Sequence, residues 1–487
     1  MPDNFAISAG RRSPGWSDAG WYGSATNAVR KTLSAAGSAF VTSVLLPFAV
    51  LATKGRWILL ALVMLDLPLQ ISAHAFYQDD AAARGALGGL EISVTGIALA
   101  LLYIAWLVGY VIRPELFRRP TFRTSLPVVL YVMFVGLSVF AAEDLQLFSF
   151  EFWIMVEMLF LYIYLINWVR TRQDIMFVVT LLLLGMALES LIMIGLRVNG
   201  GSLSAMGIKL HVDDADATGS VPRVGGTLGS ANGAATYFAA LLAPALAVLI
   251  MRISRWYDIL AASAFLLGGV GLLLTFSRGG WLASAIAASI VALCGWRLLR
   301  RGHKALFFFG IVFVISFLGV QKAVSDRLFD DQSATSRIPL MEMALRMIAD
   351  HPFIGVGANN YTLNMDQYAV QGLSGDWMYA VHNRYLLICA ETGPGALLAF
   401  LWFGIASIRR GWKCWKFKDK FVSPLALGLT AGLVGFAIAI MFEPGRGSLM
   451  MSLLLVPGSL IAAMYSWVVA ESARRTARAG VANSYRS

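Results

Sequence analysis

The stretch IMFVVTLLLLGMALESLIMIGL, Ile175–Leu196, holds a single charged residue, Glu189. A run of about 20 apolar residues is what crosses the hydrocarbon core of a bilayer as a helix. The same signature recurs near 57–73, 88–112, 125–141, 151–169, 233–252, 257–275, 280–299, 305–323, 386–408, 421–442 and 447–470. With 175–196 these make about twelve transmembrane helices, and the expected fold is an all-α polytopic membrane protein. Composition agrees: 58% of the 487 residues are hydrophobic and only 14% are charged, where a soluble domain is nearer a quarter charged.

The charges sort by side. With the N-terminus inside, 28 of the 39 basic residues fall on cytoplasmic segments. Examples are Arg170 and Arg172, Arg252 and Arg255, and the run from Arg409 to Lys420. This is positive-inside sorting. It also accounts for the net charge of +11, and no basic stripe with interleaved aromatics points to nucleic acid. Cys294, Cys389 and Cys414 share no metal-ligand spacing and imply no disulfide framework.

The expected organisation is a cytoplasmic tail with an interfacial segment at 1–56, nine spans at 57–323, a large outer loop at 324–385, three spans at 386–470 and a cytoplasmic tail at 471–487. Residues 1–38, rich in Ser, Gly and Ala, lack an apolar signal core. The run at 40–53 reads as the interfacial segment.

Two outer connections, about 197–232 and 324–385, break the charge rule. They keep Arg223 in the first and Arg337, Arg346 and Arg384 in the second. Connections this long are as a rule functional or disordered, and cations retained there point to an anionic ligand. In the second, Leu340, Met343, Ala344, Met347 and Ile348 recur with helical period over 339–350. Pro339 suits a first turn, and Glu342 and Arg346 stand four apart on the other face. The spacing predicts an amphipathic helix that caps the outer membrane face.

Three short segments can carry chemistry. Ser277-Arg278-Gly279-Gly280 lies in a tight outer connection. Its arginine either meets a phosphate beside permissive glycines or snorkels to lipid headgroups. Arg223, with the glycine-rich run to Gly233, reads either as an anion-binding turn before a helix N-terminus or as a plain flexible loop. His382-Asn383-Arg384 re-enters the membrane, with Glu391 and Gly393 following. A histidine there can take a hydroxyl proton, although a lone histidine is more often structural.

Together these segments resemble the O-antigen ligase and O-antigen polymerase family of bacterial surface-polysaccharide enzymes. The resemblance rests on Ser277-Arg278-Gly279, on His351-Pro352-Phe353-Ile354-Gly355-Val356-Gly357, on His382-Asn383 with Gly393, and on Gly226–Asn232 before a span. It covers about 220–405. It implies a GT-C-like glycosyltransferase of the inner membrane, with a periplasmic site and cytoplasmic termini. The donor is a glycan on undecaprenyl diphosphate. The acceptor is a lipid-linked repeat for a polymerase or lipid A–core for a ligase. Membrane lipid and other polysaccharide-assembly proteins are the further partners. The implied reaction is inverting and uses no metal or cofactor. In it His382 is the base and Arg223, Arg278 and Arg337 hold the diphosphate. Asn383, Glu391, Ser277 and Gly279 support them; Glu391 either orients His382 or is a satisfied intramembrane carboxylate. His351 reads as part of a turn. Two other classes stay open: a twelve-helix transporter, and a non-catalytic subunit of a polysaccharide export complex.

Overall fold

A computed structural model describes residues 55–112, 125–200, 202–205, 208–211, 222–299, 337–369 and 379–484. Its long helices are α1 Arg56–Leu69, α2 Val94–Ile112, α3 Leu126–Leu137, α4 Leu145–Trp168, α5 Arg172–Val198, α6 Ala231–Met251, α7 Arg255–Leu274, α8 Arg278–Leu299, α9 Arg337–Asp350, α10 Arg384–Lys416, α11 Val422–Ala439 and α12 Gly447–Ser484. Eight of them, α4 to α8 and α10 to α12, are long and apolar enough to span a membrane. The protein is therefore an all-α polytopic membrane protein.

The first three expected spans fall on the shorter helices α1, α2 and α3. The 57–73 and 88–112 runs differ from expectation for a local reason. Their facing ends leave the helical register and pair as an antiparallel hairpin, Ser72–Ala75 against Leu90–Ser93. The carboxylate of Asp66 accepts the Ile71 N–H at 3.0 Å as α1 ends. A second hairpin pairs Ser202–Ala205 with Ile208–His211. The expected span at 305–323, the segment at 40–53 and the N-terminal tail lie outside the described residues.

The chain divides into two compact units, one from the described parts of 1–63 and 95–120 and one from those of 64–94 and 121–487. The first holds the start of α1 and most of α2. The second holds the remaining helices and every residue discussed below.

At the centre of the second unit, α6 and α11 pack against each other. In each, 83% of the apolar span is buried, against 33% in the flanking α7 and α8. Small residues permit the close crossing. A side chain on Gly428 would meet Ala247 Cβ at 2.3 Å, and one on Gly432 would meet the Ala240 carbonyl oxygen at 2.2 Å. Apolar chains gain nothing from leaving lipid for protein, so helices associate through such close contacts. Large exposed side chains such as Trp153, Leu188, Leu293, Leu398 and Trp402 make the lipid-facing surface.

The amphipathic helix expected over 339–350 is α9. Leu340, Met343, Ala344 and Met347 are buried against Tyr361, Met365, Ala380, Val381, Leu387 and Ala390. Arg346 and Glu342 pair at 2.6 Å on its exposed side. Thus α9 clamps the loop that leads into α10.

Candidate active site

Four connections meet at one end of the bundle: α5 to α6, α7 to α8, the segment into α10, and α11 to α12. In the first, the turn Gly226–Leu228 is anchored from below by Glu189, which is fully buried. The Thr227 N–H donates to Glu189 Oε1 at 2.9 Å, and the Thr227 hydroxyl meets Glu189 Oε2 and the Pro68 carbonyl. Gly226 has φ +64°, and a Cβ there would stand 1.9 Å from Glu189 Oε1. Only glycine fits over that carboxylate. Glu189 is thus the anchor of the turn.

Arg223 is braced across two connections. Its Nε donates to the Thr275 carbonyl at 2.9 Å and its Nη2 to Asn232 Oδ1 at 2.7 Å. Ser277 Oγ donates to the same Asn232 oxygen at 3.0 Å. Ser277 therefore ties the start of α8 to the start of α6. Arg278, next in sequence, opens α8 and is half-buried. Gly279 lies under the Phe442 ring, where a Cβ would come within 2.6 Å. That draws in the α11–α12 connection.

His382 stands just before α10. Its Nδ1 lies 3.0 Å from the Ala380 carbonyl oxygen. A carbonyl only accepts, so Nδ1 carries the hydrogen and Nε2 keeps its lone pair. The Tyr379 ring meets the imidazole edge-on, with centroids 5.4 Å apart. Burial, together with the nearby Arg337 and Arg223 guanidiniums, holds the ring below the usual histidine range. The imidazole is neutral at pH 7 and able to accept a proton at Nε2. Asn383 caps α10: its Oδ1 accepts the N–H groups of Tyr385 and Leu386 at 3.0 and 3.2 Å.

Glu391 does not orient His382. Its carboxylate takes both Nη groups of Arg446, at 2.6 and 3.2 Å, and the Tyr361 N–H at 3.2 Å. Arg446 also donates to Glu151 at 2.8 Å, and Glu151 accepts from Arg384 at 3.1 Å. All four side chains are at most 7% exposed. Arg384 is therefore not a free cation awaiting an anionic ligand. The sequence reading missed this chain of alternating charge, because Glu151 and Arg446 lie 295 residues apart.

The His351–Gly357 motif is a backbone fitting. Pro394 has no N–H for the Ala390 carbonyl, and Gly393, at φ +77° and ψ 173°, breaks the helix there. The Val356 and Gly357 N–H groups take the freed carbonyls of Ala390 and Glu391, each at 2.9 Å. His351 itself is exposed at the end of α9.

One further group stands in the site, and no sequence motif signals it. Glu443, in the α11–α12 connection, lies near enough to Arg223, the Gly445 N–H, Arg337 and Ser230 for each to favour its charged form. Burial outweighs these and pushes its carboxyl up to about 7. Only the charges of Glu443 and Arg446 around the Pro444-Gly445 turn hint at it in the sequence. Among the described residues no three His, Cys, Asp or Glu side chains gather as a metal-ligand set.

The arrangement gathers a neutral imidazole and guanidinium groups on the loop-bearing end of a multi-pass membrane protein. Residues 262–401 match the family model for O-antigen ligase. The matched stretch runs from within α7 into α10 and includes Ser277, Arg278, Gly279, Arg337, His382, Asn383, Glu391 and Gly393. The resemblance drawn from the sequence motifs is thereby borne out over 262–401. No curated protein matches the chain.

Proposed function

We propose that the protein is a membrane glycosyltransferase. It moves a glycan from undecaprenyl diphosphate to an acceptor glycan on the periplasmic side of the bacterial inner membrane. A lipid-linked repeat serves as acceptor if it is a polymerase, and lipid A–core if it is a ligase. The observation that carries the reading is the neutral His382 ring, tethered at Nδ1 to Ala380 and set beside Arg223 and Arg337, in a chain that matches the O-antigen ligase model over 262–401.

The acceptor hydroxyl attacks the anomeric carbon from the face opposite the diphosphate, and its proton passes to His382 Nε2. The carbon–oxygen bond to the diphosphate breaks, and that oxygen leaves with the electron pair. Attack from the opposite face inverts the anomeric centre. Arg223, Arg278 and Arg337 take the developing negative charge through charge-assisted, fork-shaped hydrogen bonds. Guanidiniums then fill the role a divalent cation plays in other phosphoryl-leaving reactions, so the reaction runs without a metal. Ser277, Gly279 and Asn383 act on the backbone that presents these groups. The architecture is GT-C-like, with about twelve helices, a periplasmic loop over 324–385 and both termini cytoplasmic. The basic residues at the opposite end of the bundle, Arg170, Arg172, Arg252 and Arg255 among them, support that orientation.

The test is glycan transfer in liposomes with purified donor and acceptor. His382→Ala abolishes turnover, and Arg278→Lys, which keeps charge but loses the fork, lowers it at least tenfold. Near-normal turnover by His382→Ala removes the base assignment. Full activity in Arg278→Lys removes the bidentate contact.

A further inference from the structure

Residues 76–89, between the two strands of the first hairpin, lie far from His382 in sequence and outside the stretch that matches the O-antigen ligase model. They are nonetheless built against the site. Ala81 is buried against Leu147 and Phe150 of α4, with Leu87 packed alongside. The fully buried Asn359 then clasps Leu87. Its Oδ1 accepts the Leu87 N–H at 2.7 Å, and its Nδ2 donates to the Leu87 carbonyl at 2.9 Å.

Between these anchors stand Arg84 and Gly85, and each touches the segment that carries His382. The Arg84 carbonyl accepts the Ala380 N–H at 3.0 Å. Gly85, at φ +94°, lies against the Tyr379 ring, where a Cβ would come 2.6 Å from Cζ. Both contacts pass on to the imidazole. Ala380 supplies the carbonyl oxygen that holds His382 Nδ1 at 3.0 Å. Tyr379 supplies the ring that meets the imidazole edge-on. One dipeptide thus reaches His382 by two routes.

We propose that the Arg84–Gly85 turn is a positioning element for His382: it fixes Ala380 by a backbone hydrogen bond and wedges the Tyr379 ring onto the imidazole. The proposal rests on the reading of His382 as the base. The need it meets is directional. A base works only within hydrogen-bond reach of the proton it takes, and an imidazole can swing about its side-chain bonds. The bond at Nδ1 sets the tautomer, and the ring contact limits the swing. Ala380 is itself bonded at both its N–H and its carbonyl, so it cannot tilt without losing the hairpin. The Arg84 side chain is not needed. Its pair with Asp366, at 3.0 Å, is 43% and 64% exposed and adds little. Gly85 is needed, because a side chain at that φ is strained and would collide with Tyr379.

The experiment combines glycan-transfer kinetics in liposomes with 15N NMR of the full chain, histidine-labelled in nanodiscs. His382 is the signal, among five histidines, that disappears in His382→Asn. Gly85→Ala pushes the Tyr379 ring by roughly 1 Å, a displacement that costs on the order of a hundredfold in rate when it reaches a catalytic group. The expected result is a kcat lowered about tenfold to a hundredfold with donor KM within about twofold of wild type. The single Nδ1–H tautomer of the wild type becomes a mixture. Tyr379→Ala lowers kcat likewise, and Tyr379→Phe, which keeps the ring, rescues it. Asp366→Asn, which removes only the exposed pair, turns over as wild type. Should Gly85→Ala fail to fold, the Tyr379 variants decide. Wild-type kcat and tautomer in Tyr379→Ala, or in a folded Gly85→Ala, overturn the proposal while an inactive His382→Ala leaves the base reading standing. A raised donor KM with the tautomer unchanged marks the hairpin as scaffold only and also overturns it. Turnover by His382→Ala overturns the base reading and the proposal with it.

Discussion

The chain Arg384–Glu151–Arg446–Glu391 makes a quantitative test of how the site is held. Two positive and two negative side chains, each at most 7% exposed, sum to zero charge. Changing Arg446 to Met removes three ion-pair contacts and a 3.2 Å contact to Asn359. It leaves Glu391 buried with no cation, whereas Glu151 keeps Arg384. Removing one member of a buried pair costs about 3–5 kcal/mol, mostly from the stranded charge. Glu391→Leu strands Arg446 in turn at a similar cost, because Glu151 is then shared between two arginines. The double variant removes both charges and leaves the Arg384–Glu151 pair neutral. Its cost should fall short of the sum of the two singles by about 2 kcal/mol or more, in the range that coupled neighbours show. Thermal unfolding in detergent, followed by tryptophan fluorescence and by monodispersity on a sizing column, measures all three. Additive destabilisation, or an Arg446→Met variant that melts with the wild type, refutes the reasoning, since neither follows from stranding one charge.

Gly226→Ala places a Cβ 1.9 Å from Glu189 Oε1 at a φ of +64°. The backbone term alone is about 1–2 kcal/mol, and displacing the Glu189–Thr227 hydrogen bonds adds about 1–3 kcal/mol. A lowered melting temperature is expected, and a melting curve superimposable on wild type refutes it. The His382 ring sits below the usual histidine range because of burial and the neighbouring arginines. Its base form therefore persists at pH 7 and is lost as pH falls through the depressed value. The acid limb of kcat/KM for the donor should lie below about 6.5, and a limb centred above 7 contradicts a neutral imidazole in the free enzyme. The limb in kcat should lie higher, because bound diphosphate quiets the arginines that oppose imidazolium formation.

The spanning helices were legible because apolar runs of sufficient length admit few alternatives, and α9 because its buried face repeats with helical period. The start of the chain was not. The facing ends of the 57–73 and 88–112 runs carry polar residues, Gln70 and Ser72 in one and Glu91 and Ser93 in the other, which suit a fraying helix end as well as a hairpin. Hydropathy reports partition into lipid, and hairpin pairing is decided by which partner lies opposite. The same limit hid Glu151 and Arg446, whose pairing depends on a fold that joins residues 295 positions apart.

Within the site, the motifs separated into two kinds that residue type alone could not sort. Ser277, Gly279, Asn383 and the Gly355–Gly357 turn are spent on backbone. They bind Asn232, admit Phe442, cap α10 and satisfy the carbonyls freed by the break at Gly393 and Pro394. Arg223 and His382 are held by that backbone near enough for the Arg337 and Arg223 charges to act on the imidazole. A helix broken at Gly393 and re-bonded to a loop is a rigid joint, because each freed carbonyl finds a donor at 2.9 Å. The Gly393→Ala variant tests this division of labour. Its Cβ would fall 2.0 Å from the Phe353 carbonyl oxygen, so the loop must move away and release the Val356 and Gly357 bonds. Loss of those two bonds costs roughly 1–3 kcal/mol and frees the 353–357 segment that seats against α10. Hydrogen exchange at Val356 and Gly357 should then speed up markedly while the α6–α11 core stays protected. Unchanged protection at those two amides would show that the joint does not depend on the break.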